Sequence, residues 1–157
     1  MAITIRPAEP DDAECVVAMI WALSRHDGEP HPSLTEDDFR RDGFGPEPAF
    51  WALIAELVGQ PVGCAAYNRA YSLEWAAHGC YLLDLYVTED VRRQGVGRAL
   101  MEAVCRDARG RGASFLAWSM ARRNVEGSGF YEKLGADTHD VVFWTASGDL
   151  FFELAEG

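Results

Sequence analysis

Residues 92–98 read Arg-Arg-Gln-Gly-Val-Gly-Arg, two glycines one residue apart with three arginines around them. Glycine costs a helix about 1 kcal/mol relative to alanine. Yet from Val96 onward Ala99, Leu100, Ala103, Val104 and Ala108 recur at the spacing of one helix face. At a helix entrance the first N–H groups lack internal acceptors, and the dipole adds partial positive charge. Glycines there let a bulky anion reach the backbone without meeting a Cβ, and Arg92, Arg93 and Arg98 add charge. The stretch suits a phosphate or pyrophosphate; it suits equally a glycine-rich strand–helix turn that holds nothing. The P-loop pattern GxxxxGK[ST] is absent, since Lys133 is the sole lysine. GxGxxG is absent too, because Arg98, Ala99 and Leu100 follow Gly97.

The elements around this stretch follow from periodicity. Residues 3–6 read as a short strand ended by Pro7. Residues 10–25 carry Ala13, Val16, Val17, Ile20 and Leu23 at helical spacing behind Asp11 and Asp12. Thr35, with Asp38 three residues on, predicts a short capped helix that stops before Gly43. Residues 49–57 and 62–71 are strand-like, with "VGQP" as a hairpin turn, and residues 79–87 form a third apolar strand. Residues 114–119 read as another strand, Val125–Leu134 as a helix closed by Gly135, and residues 141–145 and 150–154 as a terminal hairpin across "ASGD". Hairpins first and strand–helix alternation later imply an α/β chain built on a mixed sheet. No repeat, linker or low-complexity tract divides residues 1–157, so one domain is expected.

Composition narrows the partners. Of 157 residues, 25 are acidic and 14 basic, a net charge of −11 that argues against nucleic acid. The charge suits a solvated surface and, more weakly, cationic substrates. No apolar run approaches the ~20 residues that span a bilayer, and "MAITIRPAEP" lacks the regions of a signal peptide. Cys15, Cys64, Cys80 and Cys105 show no metal or disulfide spacing, which fits reduced thiols in the cytoplasm. His31, His78 and His139 stand apart from one another and from any ligand set, so no metal site is expected.

Downstream, "ARRNVEGSGFYEKLGA" places Asn124 seven residues before Tyr131. This resembles the second signature of the GNAT superfamily of N-acetyltransferases, and "LYVTEDVRRQGVGRAL" resembles the first. The start "IRPAEPDD", the stretch "LTEDDFRRDGFG", Tyr67, Tyr71, Trp75 and "YLLDLYV" are similar to the diamine (spermidine/spermine-type) branch. The resemblance implies the GNAT fold, a mostly antiparallel mixed sheet flanked by helices, and acetyl-CoA as co-substrate. It implies that Leu85, Tyr86 and Val87 meet the pantetheine arm. Arg92, Arg93, Gln94, Gly95, Val96, Gly97 and Arg98 then surround the pyrophosphate, and Asn124 and Gly127 contact the cofactor farther on. By its place in that signature Tyr131 matches the family's general acid, a role open to an ordinary phenol because it stays protonated at neutral pH. A homodimer is implied as well.

The acceptor is then a small-molecule primary amine, a diamine or an amino-acid-like amine. Only about one alkylamine in a few thousand is unprotonated at pH 7, so the site must remove a proton. Here the sequence departs from the branch: "YLEDxxV" becomes "YLLDLYV", with Leu83 at the glutamate position and Asp84 retained. Asp84 serves as base, as holder of a cationic acceptor, or as a structural carboxylate. Asp27 matches an acidic acceptor-binding position, with His26 and Glu29 beside it, and Trp75 and Trp118 are candidates for the cleft wall. Arg122 and Arg123 replace an acidic and an aromatic residue, which favours an acceptor carrying a carboxylate, unless they face solvent or CoA phosphates. Rival readings are acetylation of proteins or peptides, and a non-catalytic acyl-CoA-binding module.

Overall fold

The computed structural model describes residues 2–28 and 32–157. These residues divide into two compact units, Met1–Asn124 and Val125–Gly157.

The first unit is built on a five-stranded sheet in the order β1 (Ile3–Pro7), β2 (Trp51–Leu57), β3 (Gln60–Ser72), β4 (Ala77–Val87), β5 (Leu116–Ala117). The first three pairings are antiparallel and β4–β5 is parallel. Three helices cover it: α1 (Ala13–His26), α2 (Glu36–Asp42) and α3 (Val96–Gly110). This is the expected mixed, mostly antiparallel sheet flanked by helices.

Alternation along β3 assigns each helix a face. Cys64 packs with Val16, Val17 and Ile20 of α1, Phe39 of α2 and Ile54 of β2. On the other side a Cβ at Gly63 would come within 3.3 Å of Leu100 in α3. Tyr67, also on that side, donates its hydroxyl to Asp107 of α3 at 2.5 Å. Arg111 pairs with the same carboxylate at 2.5 Å and lays its guanidinium over the Trp51 ring at 3.9 Å, tying the end of α3 to the sheet.

The first helix follows a single 3-10 turn over Pro10–Asp12. Arg6 of β1 holds Asp12 at 2.7 Å and Glu56 at 2.8 Å, fixing where that helix enters. Thr35 caps α2 as the sequence predicts, accepting from the Asp38 amide at 3.1 Å, and Asp38 accepts in turn from the Thr35 amide, which completes a reciprocal box.

The last sheet strand is shorter than expected. Regular pairing with β4 is confined to residues 116–117, although the Ser114 amide donates to the His78 carbonyl and the Phe115 carbonyl accepts from the Cys80 amide, each at 2.9 Å. The Phe115 ring lies over Gly79, where a Cβ would meet it at 2.3 Å. The second unit holds α4 (Val125–Leu134) and α5 (Asp149–Glu156). The expected terminal hairpin is absent: residues 137–147 form neither helix nor strand, and Leu150–Leu154 lies inside α5. Leu150, Phe151 and Leu154 are spaced i, i+1 and i+4, a helical pattern, and Asp149 places an acidic side chain in the first turn.

Candidate functional site

Between β4 and α3 the chain makes a 3-10 turn over Glu89–Val91 and then bends twice through left-handed backbone, at Arg93 (φ 62°) and Gly95 (φ 90°). Gly95 is the N-cap of α3, and its carbonyl accepts the first helical bond from Ala99 at 3.0 Å. The N–H groups of Val96, Gly97 and Arg98 form the first turn, where no intrahelical acceptor exists. Val96 is buried and anchors the turn.

Side chains expected around the anion divide by task. Arg92 Nε donates to the Val87 carbonyl at 3.0 Å and Gln94 Nε2 to the Asp90 carbonyl at 3.2 Å, so both brace the loop. Arg98 Nε donates to Glu102 Oε1 at 2.9 Å. Arg93 is exposed. Its left-handed backbone costs on the order of 1–3 kcal/mol. Three first-turn amides, a Cβ-free cap and nearby guanidinium groups make a donor set that fits the diphosphate of CoA.

Beside this turn lies an open strand edge. Antiparallel pairing sets Leu85, Tyr86 and Val87 against Ala65, Cys64 and Gly63 of β3. On its other side β4 pairs with β5 only at Cys80 and Tyr81, so no described strand pairs with residues 82–87 there. The strands part just after Tyr81, whose hydroxyl shares a 2.7 Å hydrogen bond with Ser119 Oγ. Alternate main-chain N–H and C=O groups of 82–86 therefore have no described strand partner on that side, and β4 runs from there into the turn before α3.

Asp84 owes its direction to a β-bulge. Ala66 pairs with Asp84 and Tyr67 with Leu82, leaving Leu83 as the extra residue on β4. Without it Leu82 and Asp84 would share a face. With it, Leu82 opposes Tyr67 on the α3 side while Asp84 opposes Ala66 on the α1 side, next to Tyr86. Leu83 itself is 43% exposed. The Asp84 carboxylate is half-buried, and among the described residues no hydrogen bond or salt bridge reaches it. Burial first, and the negative charge of Asp27 second, push its pKa above the usual carboxylate value.

Asp27 closes α1, with His26 exposed before it. The Arg123 guanidinium donates through Nη2 to the Asp27 carbonyl, over the Gly28 turn. The structure thus ties Arg123 to Asp27, whose charge is felt at Asp84, links that sequence spacing gave no means to find. Trp118 is half-buried one residue past β5. Trp75 stands against Phe115, which lies over Gly79 near the start of β4, whereas Asp84 lies toward the end of that strand. Glu29 and His31 lie outside the described residues.

In the chain's last part, Asn124 donates its amide to the Ala121 carbonyl at 2.9 Å in the turn just before α4, which carries Gly127 and Tyr131. The ring of Tyr131 packs beside Phe130 at 5.0 Å. Gly135, at φ 88°, ends the helix, and the Ala136 amide bonds back to the Tyr131 carbonyl at 3.2 Å.

The sequence model of the Acetyltransferase (GNAT) family matches residues 16–136. The chain belongs to this family. A thialysine N-epsilon-acetyltransferase of Sus scrofa is 30% identical over 167 residues, covering 98% of each chain. A human spermidine/spermine N(1)-acetyltransferase-like protein is 34% identical over 106 residues, which is 62% of this chain and 15% of that protein. Among solved structures, an integron cassette protein from the mobile metagenome of V. cholerae superposes with a TM-score of 0.80 at 20% identity, covering 100% of this chain and 99% of the other. That likeness concerns the fold, and it agrees with the GNAT architecture expected for the mixed sheet.

Proposed function

We propose that residues 1–157 work as one GNAT domain that acetylates a primary amine of a small molecule, with CoA held along the open edge of β4 and at the start of α3. The observation that carries this reading is the junction of three features in one unit. An unpaired strand edge leads to a Cβ-free helix entrance, and a half-buried carboxylate without a described donor points to the same strand's α1 side. Thialysine and spermidine/spermine, named for the relatives, are both small amines, which supports the acceptor class.

Acetyl-CoA, when bound, supplies an activated acyl group as a thioester. In this reading the main chain of Leu85, Tyr86 and Val87 orients the pantetheine arm, and the amides of residues 96–98 with Arg93 receive the diphosphate. Asn124 and Gly127 complete the cofactor contacts. The carboxylates of Asp84 and Asp27 receive the acceptor ammonium group, with His26 and Trp118 at the same subsite. Leu83 carries no proton-accepting group, so Asp84 takes the ammonium proton, directly or through water. Tyr131 gives its phenolic proton to the departing sulfur.

We further propose a cytoplasmic homodimer. Four free cysteines support a reducing compartment, and the exposed Val142, Phe143 and Trp144 support burial against a second copy. No helix among the described residues is long and apolar enough to cross a membrane.

The test is CoA-thiol release by the purified chain with acetyl-CoA and a panel of diamines, amino acids, aminoglycosides and peptides. Release that depends on a free small amine is expected. No release with any small amine overturns the proposal.

A further inference from the structure

Asp84 and Asp27 would take an ammonium group, but they leave the charge of Arg123 unexplained. Arg123 reaches from the segment after β5 to the end of α1 and donates through Nη2 to the Asp27 main-chain carbonyl. Gly28 (φ 83°) makes the turn beneath it, where a Cβ would come no closer to that nitrogen than an ordinary contact of 3.5 Å. A guanidinium has five N–H donors, and Arg123 is exposed with no carboxylate partner among the described residues. The Asp27 residue is thus two-sided. The charge of its carboxylate is felt at Asp84, while its carbonyl fixes a cation whose remaining donors stay available.

Building on the amine-acetylation reading above, we propose that Arg123 is a specificity-determining residue. It receives the carboxylate of a zwitterionic acceptor, an amino acid with a second amine on its side chain, whose side-chain ammonium goes to Asp84 and Asp27. A planar guanidinium matches a carboxylate with two parallel hydrogen bonds. The bond to Asp27 holds that plane in place before the acceptor arrives, so less side-chain freedom is lost on binding. A simple diamine offers a second ammonium to the same spot, which the guanidinium repels.

The experiment compares matched pairs that differ only by a carboxylate, L-ornithine against putrescine and L-lysine against cadaverine. Steady-state kinetics are run on the full chain and on Arg123→Gln and Arg123→Lys. The unaltered chain should prefer the amino acid of each pair by roughly 10-fold or more in kcat/KM, the scale of one hydrogen bond to a charged group. Arg123→Gln should cut that preference by a similar factor, mainly through KM for the amino acid, and Arg123→Lys should restore part of it. The preference of the unaltered chain is itself a readout that needs no variant to fold.

Equal use of both members of each pair overturns this proposal and leaves amine acetylation standing. So does a loss in Arg123→Gln that falls equally on both classes, the behaviour of a plain helix-end tether. A raised KM for acetyl-CoA in Arg123→Gln, with the pair preference intact, assigns the residue to CoA phosphates and also overturns it. No turnover with any amine removes the underlying reading and this one together.

Discussion

Replacing Asp84 with asparagine separates a working carboxylate from a structural one, because the two demand opposite changes in stability. Asp84 is half-buried, lacks a described hydrogen-bond donor and feels the charge of Asp27. Burial and that charge raise its pKa above the ordinary 3.8. The folded chain therefore holds its proton more tightly than the unfolded chain. Folding is favoured most below 3.8, and that advantage is lost as pH rises through the folded pKa. Above the folded pKa the carboxylate is charged in both states and the folded state carries the whole penalty. Asparagine removes the charge. An unpartnered buried polar or charged group costs ~1–3 kcal/mol, and partial exposure screens a charge toward the low end. A gain of about 1 kcal/mol at pH 7.5 follows, roughly 2–4 °C in Tm for a chain of this length. The gain should shrink as pH falls through the folded pKa of Asp84. Turnover should move the other way, dropping on the order of 10²–10⁴-fold with the loss of the proton acceptor. Thermal melts between pH 4.5 and 8, beside thiol-release assays on the same samples, check both halves. An Asp84→Asn chain less stable than its parent at pH 7.5 would refute the reasoning, since it would mean the carboxylate holds the fold together.

Gly95→Ala should cost ~1–2 kcal/mol, because φ 90° is left-handed and the nearest atom to a new Cβ, Ile3 Cδ1 at 3.9 Å, makes only ordinary contact. Its Tm should fall by about 2–8 °C, and calorimetry should show weaker acetyl-CoA binding; an unchanged melt contradicts the strain assigned to this cap. Tyr131→Phe should lower kcat at least ~10²-fold while the dissociation constant for acetyl-CoA stays put, and a full-rate variant removes the phenol from the chemistry. Tyr67→Phe deletes the 2.5 Å bond to Asp107 at the far end of α3, a loss of ~1.5–3 kcal/mol for a hydrogen bond to a charged group. Chemical denaturation should register that loss with acetyl-CoA affinity intact.

Much of this fold was legible because local chemistry specified it. The Thr35–Asp38 box, the stop before Gly43, the apolar face of α3 and the glycine at its entrance are all decided within a few residues. What escaped depends on pairing across the sheet. Leu83 looked like an ordinary strand residue at a position where the family resemblance expects a glutamate, yet it is the bulge that turns Asp84 toward α1. No spacing rule marks a bulge, since its signature is a skipped partner on β3. The meeting of Asp27 and Arg123, ninety-six positions apart, is equally invisible to a reading along the chain. The strand before Trp118 is shorter than its apolar pattern suggests: residues 114 and 115 hydrogen-bond to β4 irregularly, and only 116 and 117 pair in register. Residues 150–154 fit alternation and helix spacing alike, and with no described strand to pair with, helix hydrogen bonds satisfy the backbone instead.

Hydrogen–deuterium exchange with and without acetyl-CoA tests the central claim most directly, since it reads the proposed amides themselves. Saturable slowing of exchange confined to residues 85–98, strongest at Val96, Gly97 and Arg98, is the result this account requires. Unchanged exchange across that stretch at saturating acetyl-CoA, or protection elsewhere alone, would contradict it.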